Sequence, residues 1–293
     1  MKYRIDYQVV IPVFDEFDNL DTLLGHIAKT NIDYQPQSII IIDDGSTDDR
    51  IQYADGLLGG QGLPPIKVYR KAHEGPYSAE TFGLEKVITP YALVMHSDVQ
   101  LMGNGPPVEL HKDPLSLLIC YLAQTNDAVA VSCYGLNIND TDFIVKGNRV
   151  LDTKGIPYCP FVGTFFYSQY RISLFRWHRV ISLDSHCYAL NMEIYKQLDG
   201  FSEDFAPYGF YHDDFFARAR QNKKHSYMTQ EAAVYHPLVV TDIWGATNKP
   251  EGSMAVLEGK ELITKFQLRW GTHTILHEQS LLNNPLSVEE IGR

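Results

Sequence analysis

A chain of 293 residues that is 44% hydrophobic is long enough for one large α/β domain or two small ones. Its formal net charge of −11 repels phosphate backbones, which argues against general nucleic-acid binding and leaves room for a local basic pocket. The four cysteines (Cys120, Cys133, Cys159 and Cys187) form no C-x-x-C, the N-terminal Met1 to Asp6 lacks a signal peptide's apolar region, and no apolar run approaches the ~20 residues that span a bilayer. These features predict a cytoplasmic protein with reduced thiols, without a transmembrane segment.

The first hundred residues alternate apolar runs with polar clusters. Val9-Val10-Ile11-Pro12-Val13-Phe14 predicts a first strand that runs into Asp15-Glu16. Asp18-Asn19-Leu20-Asp21 reads as a helix start, with Leu20, Leu23, Leu24 and Ile27 following at helical spacing. Ile39 to Ile42 predicts a second strand ending in Asp43-Asp44-Gly45-Ser46-Thr47-Asp48, where Ser46 or Thr47 would cap a short helix. Ile66 to Tyr69 predicts a third, ending in Arg70-Lys71-Ala72-His73, and Ser78 to Ile88 reads as a helix behind it. Ala92 to Met95 predicts a fourth, ending in His96-Ser97-Asp98. This alternation argues for a parallel sheet with helices on both faces. The four polar clusters would then line one sheet edge, where open α/β sheets bind ligands.

Beyond Asp98, Gly103-Asn104-Gly105-Pro106-Pro107 reads as a loop, Leu115 to Gln124 as a helix and Ala128 to Ser132 as a strand. Residues 135–180 are irregular and rich in aromatic and basic side chains, including Phe165, Phe166, Tyr167, Tyr170, Trp177 and His178. They offer stacking faces for sugars and arginines for a phosphate, or equally packing beneath a solvated basic face. Tyr188 to Leu198 reads as a helix closed by Asp199-Gly200, Phe215 to Asn222 as another, and Glu231 to His236 as a short strand. The remainder holds one helix, Glu258 to Trp270, and a polar tail. With no repeat and no linker, one domain in two halves with a C-terminal appendage is the simplest organisation.

Four constellations carry chemistry. A carboxylate at the tip of the second strand, Asp43, accepts hydrogen bonds only, and so can receive a uracil N–H or a ribose hydroxyl; Asp43 or Asp44 can equally cap the following turn. His96 and Asp98, one residue apart on an extended segment, would point to one side and suit a divalent metal bridging a diphosphate, or form a satisfied polar pair. Hard oxygen donors suit Mg²⁺ or Mn²⁺, and the histidine tilts the choice toward Mn²⁺. Asp213 and Asp214 follow Tyr208, Phe210 and Tyr211. A carboxylate among aromatics makes a general base, because desolvation raises its pKa, whereas adjacent acids before a helix are also ordinary first-turn residues. Arg218 and Arg220 stand near as salt partners. His236, at a strand end, is a third metal ligand or a structural histidine.

Taken together, Val10-Ile11-Pro12-Val13-Phe14-Asp15-Glu16, Ile42-Asp43-Asp44-Gly45-Ser46-Thr47-Asp48 and the D-x-D-like His96-Ser97-Asp98 resemble the family 2 glycosyltransferases. Leu198-Asp199-Gly200-Phe201-Ser202-Glu203-Asp204-Phe205 resembles the family's GGFDEDF segment. His212-Asp213-Asp214 with Arg218 resembles its acidic catalytic segment, and Arg269-Trp270-Gly271 the end of an F-x-x-K-W-G motif. The resemblance runs through residues 7–271 in the family's order. It implies a GT-A fold: a Rossmann-like, mostly parallel α/β sheet with helices on both faces. Residues 1–240 would form that domain, with 1–100 as the nucleotide-sugar half and 101–240 as the acceptor and catalytic half. Residues 241–293 would be a helical extension.

The resemblance also implies roles. Pro12, Val13, Phe14 and Glu16 would line the base and ribose pocket and Asp43 would contact the base, with Asp44, Lys71, His73 and Ser97 completing the donor site. Asp98 would bind Mn²⁺ or Mg²⁺ on the donor's diphosphate, with His96 and His236 as further ligands. Asp213 or Asp214 would deprotonate an acceptor hydroxyl, on a glycan, a lipid-linked or another acceptor, so that a single displacement inverts the anomeric centre of a UDP-linked sugar. Peripheral membrane contact is compatible with this.

Three positions depart from the family pattern. His96 stands where an acid is usual, Glu80-Thr81-Phe82-Gly83 replaces R-N-x-G, and the acidic segment is one residue short if Arg218 anchors it. A metal-dependent hydrolase built on His96, Asp98, Asp213 and His236, or a non-catalytic nucleotide-sugar binder, are the alternatives. No G-x-G-x-x-G follows the first strand, which disfavours a dinucleotide dehydrogenase.

Overall fold

The computed structural model describes residues 5–30, 35–50, 62–101, 114–136, 143–146, 149–152, 177–180, 183, 186–207, 210–235 and 254–270. The first strand, β1 (Tyr7–Val13), is buried on both faces except at Pro12, which is why its sequence is an apolar run without alternation. It pairs in parallel with β2 (Ile39–Asp43) on one side and β4 (Tyr91–Met95) on the other, and β3 (Ile66–Arg70) extends the sheet beyond β2. The register sets Val13 against Asp43 and Asp43 against Arg70, so the polar tips do share one edge.

β10 (Cys187–Asn191) runs antiparallel between β4 and β6 (Ala128–Leu136). β11 (His225–Tyr235) lies parallel to β6 and carries the short antiparallel strands β5 (Gln100–Leu101) and β9 (Trp177–Val180). The sheet order is β3-β2-β1-β4-β10-β6-β11-β5, a mixed sheet in which most strands share one direction. A separate hairpin pairs β7 (Phe143–Lys146) with β8 (Arg149–Asp152).

Each face of the sheet has its own core. On one, α1 (Phe17–Ala28) buries Leu20, Leu23, Leu24 and Ile27, beside Leu115, Leu118 and Leu122 of α3 (Pro114–Gln124). Each such fully buried leucine or isoleucine contributes about 1.5–3 kcal/mol. On the other face pack α2 (Pro76–Glu85), α4 (Met192–Gln197) and α5 (Tyr211–Gln221), with Leu262 and Phe266 of α6 (Met254–Trp270) laid over them. Gly83 lets α2 approach the sheet closely, since a Cβ there would lie 2.5 Å from Val10 Cγ1.

Three of the changes from the expected elements bear on the site. The stretch expected as one helix from Tyr188 divides into β10 and α4, split at Asn191, whose Oδ1 accepts the Glu193 and Ile194 N–H at 3.1 and 3.2 Å. An apolar run fully buried between two strands has no helical period to show, and the N-cap was the readable signal. α5 begins at Tyr211 rather than Phe215, which puts His212, Asp213 and Asp214 in its first turn, where acids favour the helix dipole. β11 begins six residues before Glu231 and shifts register against β6 between Thr229 and Ala233. The Gly103 to Pro107 loop, most of the aromatic stretch from Phe161, His236 and the polar tail lie outside the described residues.

Candidate active site

The edge formed by β1, β2 and β3 is built around two aspartates with different duties. Asp43 is fully buried. Its Oδ1 accepts the Ser46 N–H at 2.8 Å, whereas Oδ2 has no hydrogen-bond partner and faces Arg70 Nε at 3.5 Å. A buried carboxylate oxygen left unbonded is costly and calls for an explanation. Arg70 is itself partly held, donating from Nη2 to the Ser46 carbonyl at 2.7 Å.

Asp44 is saturated. It accepts from Lys71 Nζ at 2.9 Å and from the Glu74 and Gly75 N–H groups at 3.2 and 2.9 Å, with His73 Nδ1 2.8 Å from Oδ2. Lys71 is also paired with Glu74 at 2.9 Å. Burial pushes its ammonium pKa down, but the Asp44 and Glu74 carboxylates outweigh this and raise it. Asp44 and Lys71 therefore fix the loop into α2, and the ring of His73 lies on Phe14, centroids 4.0 Å apart and 22° from coplanar. Gly45, at φ 78°, lets that loop pass, as a Cβ would meet the His73 nitrogen at 2.8 Å. Asp15 ties the first two tips together by accepting the Thr47 N–H at 2.6 Å and the Asp48 N–H at 3.2 Å. Pro12 is half-buried and Val13 buried, its carbonyl accepting the Asp44 N–H at 2.9 Å.

At the tip of β4 the strand ends at Met95, and Ser97-Asp98 form a turn, not the extended segment expected from the sequence. Ser97 is buried and donates its hydroxyl to Glu16 Oε2, while His96 and Asp98 are half-buried. The His96 N–H is held by the carbonyl of His186 at 3.0 Å. Among the described residues no three His, Cys, Asp or Glu side chains gather as a metal cage.

The first turn of α5 is clamped from two sides. Asp214 is fully buried, accepting Arg218 Nε at 2.9 Å, Arg269 Nη1 at 3.0 Å and Trp270 Nε1 at 3.1 Å. Arg269 and Lys265 also bind Asp204, whose carboxyl these two cations hold at about 2. On the other side, His212 Nε2 lies 3.0 Å from Oε1 of Glu80, a buried residue of α2 that also accepts the Tyr188 and Tyr211 hydroxyls. Asp213, between them, is half-buried.

The family model for glycosyl transferase family 2 matches residues 8–198. The chain belongs to that family. Among family 2 relatives, the dodecaprenyl-phosphate galacturonate synthase of Rhizobium johnstonii is 25% identical over 129 residues, 43% of this chain and 38% of that protein. The undecaprenyl-phosphate 4-deoxy-4-formamido-L-arabinose transferase of Serratia proteamaculans is 31% identical over 103 residues, 35% of this chain and 30% of that protein. The match thus spans well under half the length of these relatives. A mannosyltransferase of Pyrobaculum calidifontis, solved with GDP-Man and Mn²⁺, has a TM-score of 0.61 at 14% identity, covering 97% of this chain and 71% of that one. S. aureus TarS in complex with UDP has a TM-score of 0.55 at 16% identity, covering 94% and 71%. At these identities the likeness shows the fold, which is GT-A.

In this family 2 chain the structure gathers Phe14, Asp43, Asp44, Lys71 and His73 at one edge and joins Glu16 to Ser97. Asp213 and Asp214 share one turn but not one environment. Reasoning from sequence missed Glu80, whose only signal was an acid at a position inside an otherwise apolar helix face. It also missed the docking of Arg269 and Trp270 on Asp214, a contact 55 residues apart that no local pattern announces.

Proposed function

We propose that this chain is a glycosyltransferase that moves a sugar from a UDP-linked donor to an acceptor, by a single inverting displacement assisted by Mn²⁺ or Mg²⁺. The observation that carries the proposal is Asp43: a buried acceptor oxygen without a hydrogen bond, at the sheet edge where α/β folds hold nucleotides, beside the exposed Phe14–His73 stack. This oxygen is sealed from solvent and faces Arg70 at 3.5 Å, so a uracil N–H would reach it on displacement of that guanidinium, and the aromatic pair offers a face for the ring. Pro12, Val13 and Glu16 complete the pocket, with Asp44 and Lys71 shaping its wall and Ser97 orienting Glu16. Asp98 would hold the metal, together with His96 and His236. Asp98 is the one carboxylate of this set, and its two imidazoles suit Mn²⁺ better than Mg²⁺, with substrate phosphates and water completing the shell. When bound, the ion would stabilise the departing diphosphate.

Asp213 is the base in this reading. Asp214 is committed to two arginines and an indole, whereas Asp213 is half-buried between the clamped residues. The two curated relatives are named for prenyl-phosphate sugars, so a prenyl phosphate belongs beside hydroxyl acceptors. A phosphate oxygen is already deprotonated near neutral pH and needs no base. Residues 1–100 would serve the donor, 101–240 the acceptor, and 241–293 the extension that braces α5. A cytoplasmic location with peripheral membrane contact is part of the same proposal. Among the described residues no helix is long and apolar enough to cross a membrane.

The test is nucleoside diphosphate release from a panel of nucleotide sugars with Mn²⁺ or Mg²⁺, against hydroxyl and prenyl-phosphate acceptors. Release from one UDP-sugar, lost on Asp98→Ala, is expected. Asp213→Asn should lower kcat by about 10²–10⁴-fold with hydroxyl acceptors and leave donor binding intact. Tight UDP binding without turnover on any acceptor would refute catalysis, and phosphoester cleavage without donor preference would indicate a hydrolase.

A further inference from the structure

Glu80 is a glutamate in the body of α2, 2% exposed, with no solvent to carry its charge. Its carboxylate instead collects the Tyr188 hydroxyl from β10, the Tyr211 hydroxyl at 3.1 Å and His212 Nε2 at 3.0 Å, the last two from the first turn of α5. The tyrosines also surround the imidazole: the His212 ring lies 5.6 Å from Tyr188 and 4.0 Å from Tyr211, centroid to centroid. Burial pushes the Glu80 carboxyl up, but the His212 imidazole, the Tyr188 hydroxyl and the more distant His96 hold it below the usual glutamate value. Three side chains thus partner its two oxygens. A buried ion persists only where the surrounding groups pair with it. This cluster binds α2 to the turn that carries Asp213, and the N-cap residue of α5, Phe210, makes no side-chain capping hydrogen bond.

We propose that Glu80 is a positioning residue for the transfer step: through His212 it fixes the first turn of α5 and so sets where Asp213 meets the acceptor. This rests on the transferase reading above. Glu80 touches neither donor nor acceptor in this scheme. It acts on turnover and not on donor affinity, because the nucleotide edge lies at the tips of β1 to β3 and is held by Asp15, Asp44 and Lys71.

Glu80→Gln and His212→Gln, alone and combined, test this. Glu80→Gln keeps an oxygen for one tyrosine hydroxyl, offers an N–H to the oxygen of the other, and removes the carboxylate that faces the imidazole. With a hydroxyl acceptor, kcat should fall on the order of 10²-fold, as expected when a reacting group is misplaced by about 1 Å. Donor KM and UDP affinity by calorimetry should stay at wild-type values. The double variant should be no slower than the slower single one, since both remove one interaction. A crystal structure of Glu80→Gln should show the Asp213 carboxylate displaced. Wild-type kcat in Glu80→Gln, a loss of kcat matched by a loss of UDP affinity, or additive losses in the double variant would overturn the proposal. If Glu80→Gln does not fold, His212→Gln carries the same kinetic expectation with Glu80 still bonded to both tyrosines. A wild-type protein that turns over no donor would sink the transferase reading by itself. The structure of Glu80→Gln would then decide the positioning claim, and an unmoved Asp213 would end it.

Discussion

Replacing Asp214 with alanine separates its structural duty from a catalytic one. The carboxylate is fully buried and its two oxygens receive N–H groups from Arg218, Arg269 and Trp270 at 2.9–3.1 Å. In Asp214→Ala two guanidiniums and an indole N–H lose their common acceptor inside the same small space. Removing one member of a buried ion pair costs about 3–5 kcal/mol. The arginine side chains are 24% and 32% exposed and can regain some water, which places this case near the lower end, at about 3 kcal/mol. At about 2–4 °C per kcal/mol for large domains, the melting temperature should fall by about 6 °C or more. Asp214→Asn keeps one oxygen acceptor but loses the charge and turns its NH2 toward donors that the other oxygen had accepted, so it should cost about 1.5–3 kcal/mol. Urea denaturation gives both values from the midpoint shift at constant m. Alanine and asparagine variants as stable as the wild type would refute the clamp. An asparagine variant of normal stability that nevertheless loses kcat would make Asp214, not Asp213, the base.

Asp43→Asn preserves an oxygen for the Ser46 N–H but places an amide or a weaker acceptor where Oδ2 stands. UDP affinity by calorimetry should weaken by about tenfold or more, the worth of a hydrogen bond to a charged group, and unchanged affinity would remove Asp43 from the nucleotide site. The Asp204 carboxyl is held at about 2 by Lys265 and Arg269, against an ordinary 3.8. A depressed carboxylate stabilises the folded state fully above its unfolded pKa and loses that contribution as pH falls through its folded one. The docking of α6 should therefore weaken as pH drops from 3.8 toward about 2, and Asp204→Asn should flatten this part of a stability-against-pH profile; an unaltered profile would count against the pairing.

The first half of the fold was legible because its signals are local. β1, β2 and β4 are short apolar runs ending in polar residues, and a parallel sheet covered on both faces demands that pattern. The register that brings Asp43 beside Arg70 follows once the strands are parallel. β10 was misread because a strand buried between β4 and β6 is apolar throughout, and Cys187 to Asn191 then shows neither period. The roles at the edge were less legible than their location. Asp43 and Asp44 are adjacent and chemically identical, yet one oxygen of Asp43 is unbonded while Asp44 accepts Lys71 and two backbone N–H groups. The path of the loop from Lys71 to Gly75 supplies the partners of Asp44. Charge partners distant in sequence, such as Glu80 with His212 or Arg269 with Asp214, leave no trace in spacing.

The geometry of α5 explains why three neighbouring polar residues divide their labour. Successive helical residues are turned by about 100°, so His212, Asp213 and Asp214 fan across about 200° of the helix surface. The two flanks of that fan meet different elements: His212 meets Glu80 on α2, and Asp214 meets Arg269 and Trp270 on α6. A helix gripped on both flanks of one turn can neither roll nor slide without breaking a buried hydrogen bond on one side. The grip on its two neighbours thereby helps to set the direction of the middle residue, Asp213. A base in displacement chemistry needs that property, because its reach toward the acceptor must be fixed before the acceptor arrives. The C-terminal helix is then no accessory. By closing the second flank, Arg269 and Trp270 make the placement of Asp213 depend on the last described element of the chain, and a variant that undocks α6 should lower kcat while the nucleotide edge, built from β1 to β3, still binds UDP.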